Sequence, residues 1–232
     1  MSEHDAHRQR VYNRFLKEGL AGFEEHNAME FLLFLSHARG DTNSLAHSLI
    51  NRFGSLANVL DAPESELEQV PGVGPSSAVA LKFIPQMCAY YLENKVSKNK
   101  LLDSVDAVSA FLMPKFFGKL QEEFYMLALD DRRKLLRCVC LSKGVGNATS
   151  VSVAKLIAEV TQCNATGVIL AHNHPRGITL PSSGDLAVTA DLYRALRLIG
   201  VDLLDHFIFT EKEYLSFANT RYLASIKESI GR

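Results

Sequence analysis

AHNHPRGITLPSSGD, running from Ala171 to Asp185, places two histidines one residue apart at the end of an apolar run and a serine and an aspartate at the start of the next amphipathic segment. In a strand, side chains two apart point the same way, with Cα atoms roughly 6.6 Å apart. His172 and His174 can therefore both face one ion, each ring nitrogen about 2.1 Å from a zinc. Asp185 is the candidate third ligand, because Pro175, Gly177 and Pro181 shape the intervening loop so that it can fold back toward the histidines. Three protein ligands and one open position make a catalytic zinc centre. Ser182, one turn before Asp185, stands where a hydroxyl could bond the metal's water or a developing oxyanion. The same residues have a purely structural reading. Ser182-x-x-Asp185 ahead of Leu186 and Val188 is close to a capping box, and a histidine at a strand end is commonly solvated or bonded to a carbonyl. The two readings are compatible, since a cap fixes where Asp185 points.

Outward from that stretch, strands and helices alternate. Thr166 to His172 reads as a buried strand, and Gly184 to Ile199 as an amphipathic helix. Upstream, FYMLALD (Phe124 to Asp130) and LLRCVCLS (Leu135 to Ser142) look like a strand pair joined by the polar turn Asp131-Arg132-Arg133. A helix follows over Val153 to Cys163. Val201 to Thr210 and Tyr214 to Phe217 read as closing strands. Before residue 100 the spacing is helical instead: Val11, Phe15 and Leu16, then Met29, Leu32 and Leu33, then Leu45, Leu49 and Phe53. Gly19, Gly40 and Gly54 stand at helix stops, and Asp41-Thr42-Asn43 supplies cap chemistry. The polar run from Asn94 to Lys100 separates the two patterns. The expected organisation is an all-helical module over 1–99 and an α/β module over 100–232.

The 232 residues are 47% hydrophobic and 22% charged, as in ordinary globular proteins. The start, MSEHDAHRQR, is polar and no run reaches the length of a membrane span. Cys88, Cys138, Cys140 and Cys163 make no disulfide framework; Cys138 and Cys140, two apart on one strand, suit core thiols. A reducing cytoplasm is the expected compartment, and no membrane association is expected.

The string H-x-H-P, a loop, then S-x-x-D resembles the JAMM (MPN+) metalloprotease signature. HNHP within VILAHNHPRG and ahead of PSSGD is similar to the RadC family of bacterial proteins in particular. The resemblance extends over nearly the whole chain, taking in FYMLALD, the helix ending near Asn164-Ala165, LLDHFIF and the helical front half with its Gly-x-Gly turn. It implies a JAMM/MPN-type α/β (α+β) domain, a deaminase-like layered sheet with flanking helices, behind a separate all-helical N-terminal domain. It further implies one Zn2+ per chain held by His172, His174 and Asp185, with Ser182 steadying the bound water. The implied partner is a peptide or protein-conjugate substrate.

The family pattern also wants an upstream glutamate as general base and acid. Glu122 and Glu123 both precede the strand and must face opposite sides of it. In RadC-like chains the glutamate stands eight positions before the aspartate that ends the strand, which gives Glu122, with Glu123 as the alternative. Phe124 and Met126 share the face of Glu122, so burial there would raise its pKa toward a useful range. Two departures stand out. Arg176 occupies a position after HNHP that is usually serine, and Thr149-Ser150-Val151-Ser152-Val153 replaces a His-Pro-Arg-Glu stretch. The Asp205-His206 pair in LLDHFIF could partner a ligating imidazole or be a satisfied structural pair.

The front module holds Val70-Pro71-Gly72-Val73-Gly74-Pro75 between helical segments Glu64 to Gln69 and Ser76 to Tyr90, which resembles a helix-hairpin-helix. In DNA-binding examples Gly-x-Gly exposes backbone N–H groups to a phosphate, making Gly72 and Gly74 the candidate DNA contacts. The surrounding charge opposes this reading. Ser76 and Ser77 follow the turn, Lys82 is the first cation, and residues 1–100 carry ten Lys and Arg against twelve Asp and Glu. A packing or protein-docking hairpin is the default. A DNA-repair or recombination factor, with the metal domain as accessory hydrolase or scaffold, is the competing function. A zinc deaminase would need H-x-E with P-C-x-x-C. Neither that signature nor a phosphate-cradling G-x-x-x-x-G-K-[ST] loop occurs.

Overall fold

The computed structural model describes residues 3–37, 40–95, 100–144, 151–175 and 177–231. Arg176, most of the polar run after Lys95, and Thr149 with Ser150 lie outside the described residues. The chain divides into two compact units, residues 1–88 and 89–232.

The first unit is built from helices α1 (Glu3–Glu18), α2 (Glu25–Leu33), α3 (Asn43–Phe53), α4 (Leu56–Asp61), α5 (Glu64–Leu67) and α6 (Pro75–Lys95), the last running beyond residue 88. Its core gathers Met29, Leu33, Leu45, Leu49, Val59, Leu67 and Leu81, the first four from the helical-period positions of the sequence. Tyr12 meets Phe31 edge-on with ring centroids 5.4 Å apart, and Phe15 lies 4.7 Å from the same ring. Leu16 of the same apolar set is exposed instead. The cap ahead of α3 comes from Asp41, whose carboxylate accepts from the Asn43 N–H and the Ser44 hydroxyl, both at 2.9 Å.

The second unit holds α7 (Val105–Phe116), β1 (Glu123–Leu129), β2 (Leu135–Lys143), α8 (Val153–Gln162), β3 (Gly167–Asn173), α9 (Ser183–Leu198), β4 (Asp202–Phe209), β5 (Tyr214–Ser216) and α10 (Arg221–Gly231). The five strands form one sheet in the order β2-β1-β3-β4-β5. β1 runs antiparallel to both β2 and β3. β3 and β4 are parallel, which demands the crossover that α9 supplies. Every residue of β3 is buried, because helices cover both faces of the sheet. On one face Phe124, Met126, Val168 and Leu170 pack against Leu156 and Val160 of α8, Val188, Leu192 and Leu196 of α9, and Leu223 and Ile226 of α10. On the other, Leu127, Leu129, Ile169, Ala171, Phe207 and Phe209 pack on Val108, Leu112 and Phe116 of α7.

Hydroxyl caps fix where three of these helices begin: Ser104 for α7, Ser152 for α8 and Ser182 for α9. Ser152 belongs to the stretch that departs from the RadC-like pattern. The β1–β2 turn is pinned by Asp130, whose Oδ1 accepts from the N–H groups of Arg132 and Lys134. Cys138 and Cys140 are half-buried on β2, and no disulfide occurs among the described residues. No described helix is long and apolar enough to cross a membrane.

Candidate metal centre

The sheet brings the histidines to the site and a helix cap brings the carboxylate. His172 is the sixth residue of β3 and is 3% exposed. Its Cα pairs with Phe124 on one side and Ile208 on the other, so neighbours on both flanks hold its backbone. Phe124 stacks on its ring with planes 5° apart. His174 lies just beyond the strand, yet its N–H still donates to the Phe209 carbonyl at 2.7 Å, which keeps it on the face of His172. The chain then loops back through Pro181 to α9. There Ser182 and Asp185 form the reciprocal capping box that the sequence suggested as the structural reading. Asp185 Oδ2 accepts from both the N–H and the hydroxyl of Ser182 at 2.7 Å, and the Asp185 N–H donates to Ser182 Oγ at 3.2 Å. That leaves Asp185 buried, with its carboxylate aimed at the imidazoles. Cap and convergence occur together.

His172 Nε2 lies 3.0 Å from His174 Nε2 and 3.1 Å from Asp185 Oδ1. His174 Nε2 lies 3.5 Å from Asp185 Oδ2. Around a tetrahedral zinc with ligands 2.0–2.1 Å out, adjacent donors are about 3.4 Å apart, so the triangle has the size of one face of such a centre. The donor chemistry fits as well. His174 Nδ1 sits 2.7 Å from the Ile178 carbonyl oxygen, which can only accept, so in the neutral ring Nδ1 holds the proton and Nε2 presents a lone pair. Among the described residues this is the one group of three ligating side chains able to hold a metal ion.

Titration follows the same geometry. Burial alone would raise the Asp185 carboxyl, but hydrogen bonds from His172 and His174, the charge of His172 and the Ser182 hydroxyl overcome it. The group is held far below the usual carboxylate range. The hydrogen bond to Asp185 raises the His174 pKa against the opposing effect of burial, with the Ile178 carbonyl and the charges of Asp185 and Glu122 adding to the rise.

The two glutamates separate as strand alternation requires. Glu122 immediately precedes β1 and is partly buried, and its charge is felt at His174. Glu123 is buried and faces the other way. Its Oε2 accepts from the Tyr125 hydroxyl at 2.8 Å, and its Oε1 sits 3.3 Å from Lys119 Nζ and 3.4 Å from Lys143 Nζ. Between His172 and His174, Asn173 ties the same edge together, accepting from the Glu123 N–H at 2.8 Å and donating to the Gln121 carbonyl at 3.1 Å.

The Asp205-His206 pair divides in a way the sequence did not settle. Asp205 turns away from the ligands. It accepts from the Ser216 hydroxyl, the Ala218 N–H at 2.8 Å and the His206 N–H at 2.7 Å, and burial pushes its pKa up. His206 is the member beside the site, its Nε2 2.9 Å from His172 Nδ1 and its Nδ1 2.7 Å from Thr189 Oγ1. Complete burial, with the charge of His172 next, drives its pKa well below the ordinary value. Thr189 escaped the sequence reading. Its one signal is position, four residues after Asp185 on the same helical face.

In the other unit, Val70 and Val73 plug the core on either side of the hairpin turn. Gly72 has φ +96°, and a Cβ there would lie 3.4 Å from Leu45 Cδ1. Lys82 does not face outward. Its ammonium donates to the carbonyls of Leu60 and Ala62 at 2.7 and 3.0 Å, capping the end of α4.

A family profile described as RadC-like JAB domain matches residues 102–222, just over half of the chain and the whole of the site above. A UPF0758 protein of Fusobacterium nucleatum is 31% identical over 226 residues, covering 94% of this chain and 97% of its own length. UPF0758 proteins of a Shewanella species and of Shewanella putrefaciens are each 31% identical over 211 residues, covering 91% of this chain and 94% of theirs.

Proposed function

The chain belongs to the RadC family, and on that premise we propose that it is a zinc-dependent hydrolase cleaving an amide or isopeptide bond in a peptide or protein conjugate. The observation that carries this reading is the convergence of His172, His174 and Asp185 with donor separations of 3.0, 3.1 and 3.5 Å beside a carboxylate, Glu122, that influences His174.

A zinc bound there supplies a polarised carbonyl and a water acidic enough to be deprotonated near neutral pH. Glu122 takes the proton from the attacking water and delivers it to the leaving amine. Ser182 serves the developing oxyanion. Its hydroxyl rotates away from Asp185 Oδ2 to do so, while the Ser182 N–H keeps its own 2.7 Å bond to that oxygen. Ile178 and Leu180, both exposed on the loop after His174, offer apolar contact to the substrate.

The test is metal analysis joined to substrate trapping. The full-length protein carries about one zinc, and the His172→Ala/His174→Ala double variant carries none. Glu122→Gln keeps the zinc, loses hydrolysis and retains conjugates from a lysate for identification, whereas Glu123→Gln keeps both metal and turnover. Full zinc in the double variant removes the site; loss of turnover in Glu123→Gln with normal turnover in Glu122→Gln reverses the choice of base.

A further inference from the structure

Behind the ligands runs a line of buried polar atoms that the hydrolytic reading does not use. The Thr189 hydroxyl lies on the backbone carbonyl oxygen of Asp185 and is 2.7 Å from His206 Nδ1. His206 Nε2 is 2.9 Å from His172 Nδ1. Thr189 and His206 are each 0% exposed and His172 is 3% exposed, so water does not enter to satisfy any of them otherwise.

Proton positions along this line follow from its end. A carbonyl oxygen has no proton to give, so the single hydroxyl proton of Thr189 goes to Asp185 O, the back-bond usual for threonine in a helix. Thr189 Oγ1 must then accept, which places a proton on His206 Nδ1. In a neutral imidazole that leaves His206 Nε2 bare, and it accepts in turn from His172 Nδ1–H. When the His172 ring is neutral, Nε2 is therefore its unprotonated atom, the one 3.0 Å from His174 Nε2 and 3.1 Å from Asp185 Oδ1; the bond it donates to Asp185 belongs to the doubly protonated ring.

We propose that Thr189 and His206 are positioning residues for the metal, a relay that fixes His172 as the Nδ1–H tautomer with its Nε2 lone pair facing the ion. This rests on the metal-binding reading of the site and deepens it. The carbonyl that anchors the relay belongs to Asp185, so one ligand's backbone sets the proton position of another ligand's ring. Metal-bound imidazoles generally need such an acceptor on the far nitrogen, and its loss weakens metal binding about 10–100-fold.

The variant to make is Thr189→Val, which keeps the shape and removes the acceptor. His206 then has no partner for Nδ1–H and turns its remaining proton toward His172, against the ligating tautomer. Zinc affinity, measured by competition with a chromophoric chelator on the full chain, falls about 10–100-fold. Thr189→Ser restores it. In wild-type protein with 15N-labelled histidine, metal-free, two-bond correlations show His206 protonated at Nδ1 and bare at Nε2, with His172 carrying a proton on Nδ1. That measurement stands even if Thr189→Val fails to fold. A proton on His206 Nε2 overturns the proposal, as does wild-type zinc affinity in a folded Thr189→Val. Wild-type protein that takes up no zinc sinks the metal reading instead, which separates the two failures.

Discussion

Ser182→Ala tests whether the hydroxyl beside the candidate metal site also holds that site together. Two bonds disappear: the acceptance from the Asp185 N–H at 3.2 Å and the donation to Asp185 Oδ2 at 2.7 Å. Loss of a serine N-cap costs about 1 kcal/mol. A hydrogen bond to a charged group adds about 1.5–3 kcal/mol, at the low end here because Ser182 is exposed and its N–H remains. The sum is about 2.5 kcal/mol, and for a unit of this size that lowers Tm by roughly 7–10 °C. Zinc affinity falls about 10–100-fold through the loosened carboxylate. Scanning calorimetry of the full chain in EDTA reads the first effect, on whichever transition shifts upward when zinc is added. Ser182→Thr keeps the hydroxyl and both properties. Ser182→Gly is the sharper control, since glycine caps nearly as well but cannot bond the carboxylate, so it isolates the second bond. A Ser182→Ala protein that melts within about 1 °C of wild type in EDTA and binds zinc equally tightly refutes the reasoning; any loss of turnover would then belong to chemistry alone.

Acid–base behaviour of the metal-free protein gives a second check. His174 is raised above its ordinary 6.5 and Asp185 lowered below its ordinary 3.8, so their pairing contributes stability in full between those values. It is lost as pH rises through the folded pKa of His174, and again as pH falls toward that of Asp185. The stability advantage of wild type over Asp185→Asn in EDTA therefore shrinks between pH 6 and pH 8 by denaturant titration; an advantage that grows over that range contradicts the assignment. In the helical unit, Gly72→Ala forces a side chain into φ +96° against Leu45 and should cost about 1 kcal/mol or more, read as a lower denaturant midpoint. If Gly72 and Gly74 contact DNA, duplex binding falls steeply with salt and vanishes in Gly72→Glu/Gly74→Glu; no binding at low salt leaves the hairpin as packing.

Much of this architecture was legible because its signals are local. Each strand and helix of the second unit read from its apolar run lies within a few residues of where the sequence put it, and Ser182 with Asp185 supplied the α9 cap in the text of the chain itself. The choice between Glu122 and Glu123 was only half legible. Alternation says they part, but that Lys119, Tyr125 and, from β2, Lys143 close on Glu123 shows only in the fold. The relay was legible only as far as the Asp205-His206 pair, without saying which member serves, and Thr189 was not legible. His206 reaches His172 because β4 lies parallel to β3 with an irregularity between Val168 and Ile169 that sets Leu170 opposite His206. A shift of one residue would exchange His206 for Asp205 at that position, and no local pattern distinguishes the two registers. Of the two readings left open for the pair, each member takes one: His206 partners His172, and Asp205 is satisfied within the sheet and its following turn.

The donor triangle is costly for a protein to build. Two ring nitrogens 3.0 Å apart beside a carboxylate, mostly screened from water, leave lone pairs facing lone pairs, and burial strengthens that repulsion. Left to relax, such groups would rotate apart toward solvent. Here each is held from behind: His172 by strands on both flanks and the Phe124 ring, His174 by the Phe209 and Ile178 backbone, Asp185 by Ser182. The apolar face shared by β1, β3, α8, α9 and α10 supplies the stability that this arrangement consumes. Without metal, protonated imidazoles relieve it: hydrogen bonds from His172 and then His174 hold the Asp185 carboxyl low, and the bond to Asp185 raises His174. A divalent ion held by His172, His174 and Asp185 would take the place of such a proton and bring twice its charge.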